Sequence, residues 1–531
     1  METPGIPQEP VPESVGEIAR GASWIALGNV ASRVLGYVRE AVKAGLFGTG
    51  AHVDALQLAL TVPTQVYDLV TGGLVNSALV PVFSDYAAEG RDRRELWRLA
   101  GAVLTLAAAG VSLLVALLIL AAPSLVAILG REHNAVAQAQ AADLLRLMLP
   151  AVVLMSLAGV LTSLLYALKR FSLPAFSTTV FNAGIVLATV LLAGRLSVTS
   201  MAVGLLLGAT LQVALQLPGL RDGFSALRFG LDLTHPGVRR VLRMYAPIVV
   251  STIISQLAIY FALGVAWEFT GAIGWMNYAT TLYQLPLGLV GVAVSSAVLP
   301  TLARQASGGQ DVRPTLVQGL NLVLALIVPA TIALFVLAMP VVGTAFERGQ
   351  FKAADTQVTA AMLQVFLAGL SFAAVDLLLI NAFYAQQNTW VPSLIGVLTV
   401  VIYITAALVF REPFGFFSLM IADALKQITH ACITGWLLSR RIGGFRGSGL
   451  WPTLARILLA GIVMAVTMQA ALSALTLIVL PDGLFGHLIR LLIPGALGAL
   501  VYLWLARRLG VAEVALLEAQ LHVRLRARFR A

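Results

Sequence analysis

The chain has 531 residues, of which 59% are hydrophobic and 11% are charged. An ordinary soluble domain is about a quarter charged, so a protein of this length with so few charges could not cover a water-exposed surface. The composition therefore excludes a soluble secreted protein, a nucleic-acid-binding protein and a disordered one. It indicates an integral membrane protein, and the net charge of +10 is typical of basic cytoplasmic loops.

The N-terminal region does not look like a signal peptide. It carries Glu2, Glu9, Glu13 and Glu17, whereas a signal peptide begins with positive charge. We therefore expect the first hydrophobic segment to stay in the mature protein. The single cysteine, Cys432, excludes an intrachain disulfide and a cysteine-based metal site, and we expect no metal or cofactor.

Long uncharged stretches predict membrane-spanning helices. Residues 102–130, 314–346 and 457–481 contain no charged side chain, and each exceeds the roughly 20 residues that cross a bilayer as a helix. The whole chain predicts an all-α polytopic membrane protein with fourteen transmembrane helices. They lie near residues 21–47, 55–83, 99–126, 144–167, 173–194, 198–218, 241–267, 273–302, 316–345, 356–385, 390–410, 416–438, 453–478 and 487–506.

The loop charges predict the orientation. If the N-terminus is cytoplasmic, basic residues such as Arg93, Arg94, Lys169 and Arg170 lie on the inside, and far fewer lie outside. Basic residues favour the cytoplasmic side, so we expect both termini to be cytoplasmic. The basic tail at 509–531 is predicted to lie on the anionic inner leaflet, or to meet a cytosolic partner.

Two short patterns recur along the chain. Pro81 and Pro300 end similar segments 219 positions apart, and Tyr166 and Tyr384, each with a proline eight residues later, are 218 apart. These offsets predict two pseudo-symmetric lobes of six helices each. Because six is an even number, both lobes enter the membrane from the same side and are parallel. Parallel repeats of this kind are typical of transporters whose central cavity opens alternately to either side. The predicted parts are a cytoplasmic segment 1–20, an N-lobe 21–220, a C-lobe 239–440, two extra C-terminal helices 451–508 and the tail 509–531.

The first predicted span contains several charges. Arg33, Arg39, Glu40 and Lys43 follow Ser32 within one helix, and each charge near a bilayer centre costs about 2.5–3.5 kcal/mol on insertion scales. We interpret them as the cationic wall of a watery cavity for an anionic substrate, because arginine binds phosphate bidentately. The alternative is that Arg39, Glu40 and Lys43 only pair with one another at a helix end.

Other predicted spans also contain acids. Asp54 opens the second span, where an acid is often a helix cap but could also face the substrate. Asp376 has no obvious partner in the sequence and is a candidate proton or cation site. Asp423 is a second candidate for ion coupling, although Lys426, three residues on, could simply neutralise it. His430 is interpreted as a packing residue.

The charged first span, together with further motifs along the chain, resembles the corresponding segments of the MurJ (MviN) family of lipid II flippases in the MATE-like exporter superfamily. The resemblance covers nearly the whole chain and is most specific in spans one, two and eight. It rests on Ser32–Gly36, Arg39-Glu40, Phe47-Gly48, Asp54-Ala55, Pro63, Ala78–Pro81, Arg170–Ala175, Trp275–Ala279, Leu285–Gly288, Gly291–Ala293 and Leu299-Pro300.

The resemblance implies a flippase that moves the undecaprenyl-pyrophosphate-linked glycopeptide lipid II across the bacterial cytoplasmic (inner) membrane for peptidoglycan synthesis. It implies that Arg33 and Arg39 meet the pyrophosphate and that the lipid tail lies beside the two extra helices. The family's cations in spans two and eight fall at Tyr67-Asp68 and at Thr280 and Thr281. We therefore predict hydroxyl contacts from Thr280 and Thr281 instead.

Several alternatives stay open at this point. The chain could export another polyprenyl-pyrophosphate-linked glycan, or be a MATE-type cation antiporter, although that site would want acids and aromatic rings. It could recruit cell-wall synthesis proteins without transporting. No HExxH motif or acidic metal-diphosphate motif is present, so we expect no enzyme. Sodium, protons and the membrane potential are all open as energy source.

Overall fold

The computed structural model describes residues 15–69, 78–88, 92–129, 135–445, 447–479, 481 and 483–514. Within these ranges the chain is helical and contains no β-strand. It divides into two compact units, Met1–Glu268 and Phe269–Ala531. Residues 1–14 of the predicted N-terminal segment and residues 515–531 of the predicted basic tail lie outside the described ranges.

The helices of the first unit are α1 (Val15–Phe47), α2 (Ala51–Tyr67), α3 (Val80–Ala87), α4 (Arg93–Leu129), α5 (Ala135–Met148), α6 (Pro150–Ala167), α7 (Ser172–Ala175), α8 (Ser177–Leu196), α9 (Thr199–Gln216) and α10 (Pro236–Trp267). A 3-10 helix, Leu217–Ala226, follows α9. The helices of the second unit are α11 (Ala272–Pro286), α12 (Ala293–Ser307), α13 (Arg313–Val336), α14 (Ala338–Phe346), α15 (Ala353–Ala385), α16 (Trp390–Val409), α17 (Arg411–Phe414), α18 (Phe417–Arg441), α19 (Leu450–Leu475) and α20 (Leu484–Arg508). A π-helical segment, Leu287–Val292, joins α11 to α12.

Ten helices in the described part of the chain are long and apolar enough to cross a membrane. They are Arg93–Leu129, Ala135–Ala167, Ser177–Leu196, Thr199–Gly223, Ala272–Ser307, Arg313–Val336, Ala353–Ala385, Trp390–Val409, Leu450–Leu475 and Leu484–Arg508. Each coincides with a predicted span. The structure thus shows a nearly all-helical membrane protein, and the full count of fourteen spans stays a prediction.

The other four predicted spans fall on α1, on α2 with α3, on α10 and on α18. Polar side chains explain why α1 and α18 are not among the ten apolar helices. The first contains Arg33, Arg39, Glu40 and Lys43, and the second contains Asp423, Lys426, Gln427 and His430. These two helices therefore contain most of the charged residues that are candidates for a functional role.

Small residues let helices approach closely in the first unit. A Cβ at Gly184 on α8 would lie 2.6 Å from the Cα of Gly208 on α9, so only glycine fits there. This contact joins two apolar helices without any charge, as small-residue packing does in membranes. A second core, from Phe83, Trp97, Leu99 and Leu164 among others, joins α3, α4 and α6.

In the second unit, α15 is central and contacts α11, α12, α13 and α18. The predicted extra helices form α19 and α20, which pack on each other and on α13 and α14. Tyr502 of α20 donates its hydroxyl hydrogen to the carbonyl oxygen of Ala325 at 2.8 Å. This bond fixes α20 against α13.

The turns after Tyr166 and Tyr384 have the same backbone conformation. Lys169 and Gln387, each three residues after the tyrosine, both have left-handed φ values, 59° and 56°. Each donates its N–H to the tyrosine carbonyl at 2.9 Å. The two units therefore repeat this turn at the 218-residue offset seen in the sequence.

Candidate functional site

The charged residues of α1 form one cluster in the first unit. The guanidinium of Arg39 donates to Glu40 Oε1 through Nε at 3.1 Å and through Nη2 at 2.9 Å. The ammonium of Lys43 is paired with Glu40 Oε2. Glu40 therefore compensates both cations, and the predicted pairing among these three residues is present.

Asn182 of α8 completes the cluster, and sequence reasoning missed it. Its Oδ1 accepts from Arg39 Nη1 at 3.0 Å, and its Nδ2 donates to the carbonyl oxygen of Thr178 at 3.1 Å. Nδ2 also reaches the carbonyl oxygen of Ser32 at 3.5 Å. Asn182 is a polar residue in an apolar helix, and this feature of the sequence could have identified it as a candidate.

Close packing of α1 on α8 holds the cluster in place. Thr179 donates its hydroxyl hydrogen to the carbonyl oxygen of Gly28 at 3.2 Å. A Cβ at Gly28 would lie 1.9 Å from the carbonyl oxygen of Ala175, the last residue of α7, so α1 and α7 meet backbone to backbone just before α8 begins. The orientation of Arg39 is thus set by Glu40, Asn182 and a tight helix contact.

The predicted ligands on α1 differ in accessibility. The Lys43 side chain is 0% exposed, whereas that of Arg39 is 31% exposed. Arg33 is exposed, and its side chain forms no ion pair or hydrogen bond with any residue that the structure describes. Ser32 beside it is half-buried. Arg33 and the open part of Arg39 are therefore the cationic groups that could meet an anion in this conformation.

Asp54 is buried in the first turn of α2. Its backbone N–H donates to the carbonyl oxygen of Gly50 at 2.9 Å. A carboxylate at this position is stabilised by the positive N-terminal end of the helix dipole. The N-cap of α2 is Gly50, and no side chain caps the helix, so Asp54 is not the helix cap that the sequence suggested. Its predicted contact with a substrate stays a prediction.

Thr280 and Thr281 lie on α11, in the second unit, whereas the α1 cluster belongs to the first. Thr281 donates its hydroxyl hydrogen to the carbonyl oxygen of Asn277 at 2.9 Å, so its oxygen keeps only acceptor capacity. Thr280 is half-buried and its side chain has no bonding partner in the described part of the chain. Of the two, Thr280 has the hydroxyl that can donate to a ligand.

The two candidate ion-coupling acids lie on α15 and α18 and have different partners. Asp423 Oδ1 is 2.6 Å from Lys426 Nζ, so this pair neutralises itself within one helix turn. Asp376 Oδ2 is 2.8 Å from His430 Nδ1. The partner of Asp376 is thus the histidine that sequence reasoning interpreted as a packing residue.

The acids and histidines do not gather around a metal. No group of three or more His, Cys, Asp or Glu residues in the described ranges could hold a metal ion. The side chains offered to a ligand are guanidinium and hydroxyl groups. Such groups bind anions such as phosphate.

The comparisons with known proteins show the family of the chain. The profile of the family described as "Lipid II flippase MurJ" matches residues 43–485. The chain belongs to this family. It is 29% identical over 420 residues to the probable lipid II flippase MurJ of Haemophilus influenzae, covering 75% of this chain and 82% of that protein. It is 26% identical to the probable lipid II flippase MurJ of Bdellovibrio bacteriovorus over 509 residues, covering 94% and 96% of the two chains.

Solved structures show the same fold. A lipid II flippase MurJ in an inward closed conformation superposes with a TM-score of 0.75 at 21% identity, covering 91% of this chain and 97% of that one. An inward-facing MATE family multidrug transporter superposes with a TM-score of 0.62 at 16% identity, covering 79% and 94%. The MurJ family member described here thus has the MATE-like fold.

Proposed function

We propose that this MurJ family protein is a flippase that moves lipid II from the inner to the outer leaflet of the bacterial inner membrane. The observation that carries the proposal is the α1 cation site. Arg33 is exposed and has no side-chain partner among the described residues, and Arg39 is oriented by Glu40 and Asn182 with part of its guanidinium open. Each of the two arginines can donate bidentately to a phosphate group.

In this proposal the other predicted ligands have distinct tasks. Ser32 can donate a hydroxyl hydrogen bond, and so can Thr280, whereas the oxygen of Thr281 can only accept one. Glu40, which is paired with Lys43, orients Arg39. Contact between Asp54 and the substrate is part of the proposal. No bond of the substrate is made or broken, because the family relatives are named as flippases.

The proposal includes fourteen membrane spans with both termini in the cytoplasm. Ten spans correspond to apolar helices, and the remaining four correspond to α1, α2 with α3, α10 and α18. Two six-helix lobes, 21–220 and 239–440, rock to expose the headgroup to either side. The polyprenyl tail stays in lipid beside residues 451–508.

A second candidate substrate is another polyprenyl-pyrophosphate-linked glycan. One observation favours it: positions 67, 68, 280 and 281, where the family resemblance leads one to expect cations, hold Tyr67, Asp68, Thr280 and Thr281. The pyrophosphate would be held in the same way, and the sugar would differ.

The test is rescue of a bacterium depleted of its own lipid II flippase. Wild type is expected to restore growth, and Arg33→Ala is not. Arg195→Ala is the matched control, since Arg195 is exposed in the same unit and outside the site. Membrane levels of all three are compared by immunoblotting. A well-expressed wild type that fails to restore growth would point to the second substrate, and rescue by Arg33→Ala would remove Arg33 from the site.

A further inference from the structure

A buried acid–histidine pair joins α15 to α18 in the second unit. Asp376 Oδ2 lies 2.8 Å from His430 Nδ1, and the hydroxyl of Thr434 lies 3.2 Å from the same nitrogen. The other carboxylate oxygen, Asp376 Oδ1, is buried and has no hydrogen-bond partner within the described ranges. Such an oxygen is costly to bury, and its presence needs an explanation.

The pair stands at the end of a polar stripe on α18. Asp423, Lys426, His430 and Thr434 follow one another at intervals of three and four residues, so they share one face of the helix. The exposed fraction of the side chain is 21% for Asp423 and 28% for Lys426, and it falls to 12% for His430 and 9% for Asp376. The stripe therefore runs from accessible charges to the buried pair.

Few other titratable groups surround the pair. On α16 the ring of Tyr403 lies 5.4 Å from Lys426 Nζ, and on α11 the titratable side chains are Tyr278 and Tyr283. No Asp, Glu, Lys, Arg or His occurs in the π-helical segment, in α12 up to residue 303, or in residues 314–346 of α13 and α14. The short α17, which also contacts α18, carries Arg411 and Glu412. The charges along the middle of α15 and α18 are thus Asp376, Asp423 and Lys426, with His430.

The first unit packs the corresponding helices without any charge. At the 218-residue offset, Asp376, His430 and Thr434 correspond to Ala158, Gln212 and Gln216. In the first unit Gln216 Nε2 donates to the carbonyl oxygen of Ala158 at 3.3 Å and to Ser177 Oγ at 3.0 Å. Asp423 and Lys426 correspond to Leu205 and Gly208. Helix packing of this kind therefore needs neither an acid nor a histidine.

We propose that Asp376 and His430 form a proton-binding pair that couples proton movement to transport. A proton bound at Asp376 Oδ1 makes a carboxylic acid beside a neutral imidazole, and this pair is uncharged, as the apolar surroundings require. Loss of that proton leaves one buried negative charge, which is unfavourable unless water reaches it. The pair therefore exchanges its proton with water only in a conformation of the second unit in which water reaches the polar face of α18. This step rests on the proposed transport function.

A proton suits this pair better than a sodium ion. Hard cations are bound by several oxygen ligands, whereas one of the two groups here is an imidazole nitrogen. Intramembrane Asp and His residues are typical of proton relays in transporters. The unbonded Asp376 Oδ1 is the atom at which a proton would arrive without breaking the contact to His430.

The first test measures protonation without transport. Infrared difference spectra of the purified full-length protein are recorded while the pH is lowered. We expect a carboxylic C=O band in wild type that is missing in Asp376→Asn and kept in Asp423→Asn, the matched control on the same stripe. Identical spectra for wild type and Asp376→Asn would overturn the proposal.

The second test measures coupling. Vesicles containing the protein and lipid II are given a pH gradient at a clamped membrane potential, and flipping is followed. One pH unit biases proton loading between the two sides by up to about tenfold, so the wild-type rate should depend on the direction of the gradient. Asp376→Asn/His430→Gln, which is uncharged at both positions as the first unit is at Ala158 and Gln212, should flip lipid II at a rate independent of the gradient. His430→Gln alone is used if the double variant does not fold.

The outcomes separate the two proposals. A double variant that keeps the wild-type gradient dependence would overturn the proton pair, and so would a wild type that flips without regard to the gradient. A wild type that does not flip lipid II at all would contradict the proposed function instead, and the infrared measurement would then decide on the proton pair by itself.

Discussion

Ser197 and Gly415 stand 218 positions apart and have nearly the same backbone conformation. Ser197 has φ 48° and ψ −136°, and Gly415 has φ 56° and ψ −132°. Each donates its N–H to the carbonyl four residues earlier, at 2.9 and 2.8 Å, and each accepts at 3.1 Å from the N–H three residues later. The two units thus repeat this turn before α9 and α18, with a serine in one and a glycine in the other.

The first prediction follows from the Cβ of Ser197. This part of the left-handed region strains any residue with a Cβ, so Ser197→Gly should stabilise the protein by about 1 kcal/mol. Gly415→Ser should destabilise it by a similar amount. Thermal unfolding of the purified protein, followed by tryptophan fluorescence, measures both. A lower midpoint for Ser197→Gly would show that the serine hydroxyl contributes more than the strain costs.

The second prediction concerns the loop before α10. Asp232 Oδ1 accepts from the hydroxyl of Thr234 at 2.6 Å and from the backbone N–H groups of Thr234 and His235 at 3.1 Å. The hydrogen bond from the Thr234 hydroxyl, followed by those from the backbone, holds the pKa of Asp232 below its ordinary value of 3.8. The stabilisation is therefore complete above pH 3.8 and is lost as the pH falls through the lowered pKa.

Asp232→Ala should accordingly be less stable than wild type at pH 7, and the difference should vanish in acid. Asp232→Asn is the control, because its amide oxygen can accept the same hydrogen bonds but does not titrate. Unfolding midpoints measured from pH 7 to pH 2 provide the comparison. A constant difference between wild type and Asp232→Ala across this range would rule out the charge of Asp232 as its cause.

The sequence predicted the membrane-spanning helices well, because hydrophobicity and length are enough to identify them. Ten of the predicted spans coincide with long apolar helices, because a bilayer leaves the backbone no other way to satisfy its polar groups. The predicted span 316–345 was different: the helix breaks at Leu337 between α13 and α14. Pro340 has no N–H to bond to the carbonyl of Val336, and this missing hydrogen bond coincides with the break, although α13 itself continues past Pro329.

The sites were predictable only in part, because their partners are distant in the chain. The charges of α1 stood out, and so did Asp376. The structure adds Asn182, which is 143 positions from Arg39, and brings His430 to Asp376. Neither pairing follows from spacing along one helix, since each joins two different helices.

The third prediction separates binding from folding at Arg33. Because its side chain has no partner in the described part of the chain, Arg33→Ala should leave the unfolding midpoint unchanged. Loss of one charge-assisted contact of about 1.5–3 kcal/mol should weaken lipid II binding about ten- to hundredfold. Arg33→Lys keeps the charge but not the planar fork, so its binding should be intermediate. Binding to the purified protein is measured by native mass spectrometry, with Arg195→Ala as control; unchanged binding by Arg33→Ala would contradict the site.

The fourth prediction compares two ion pairs that differ in burial. Glu40→Gln removes the charge that faces Lys43, whose side chain is fully buried, so the protein should lose about 3 kcal/mol of stability. Asp423→Asn removes the corresponding charge beside Lys426, whose side chain is 28% exposed, and should cost about 1 kcal/mol or less.

The double variant Glu40→Gln/Lys43→Met tests the cause of that loss. If the cost comes from a buried cation that has lost its counter-charge, removing the cation should restore most of the stability, since apolar replacement of buried pairs is often neutral. A double-mutant cycle on unfolding midpoints yields the coupling energy. Loss of stability that is additive in the double variant would mean that Glu40 acts mainly through Arg39, and Arg39→Gln should then be as destabilising as Glu40→Gln.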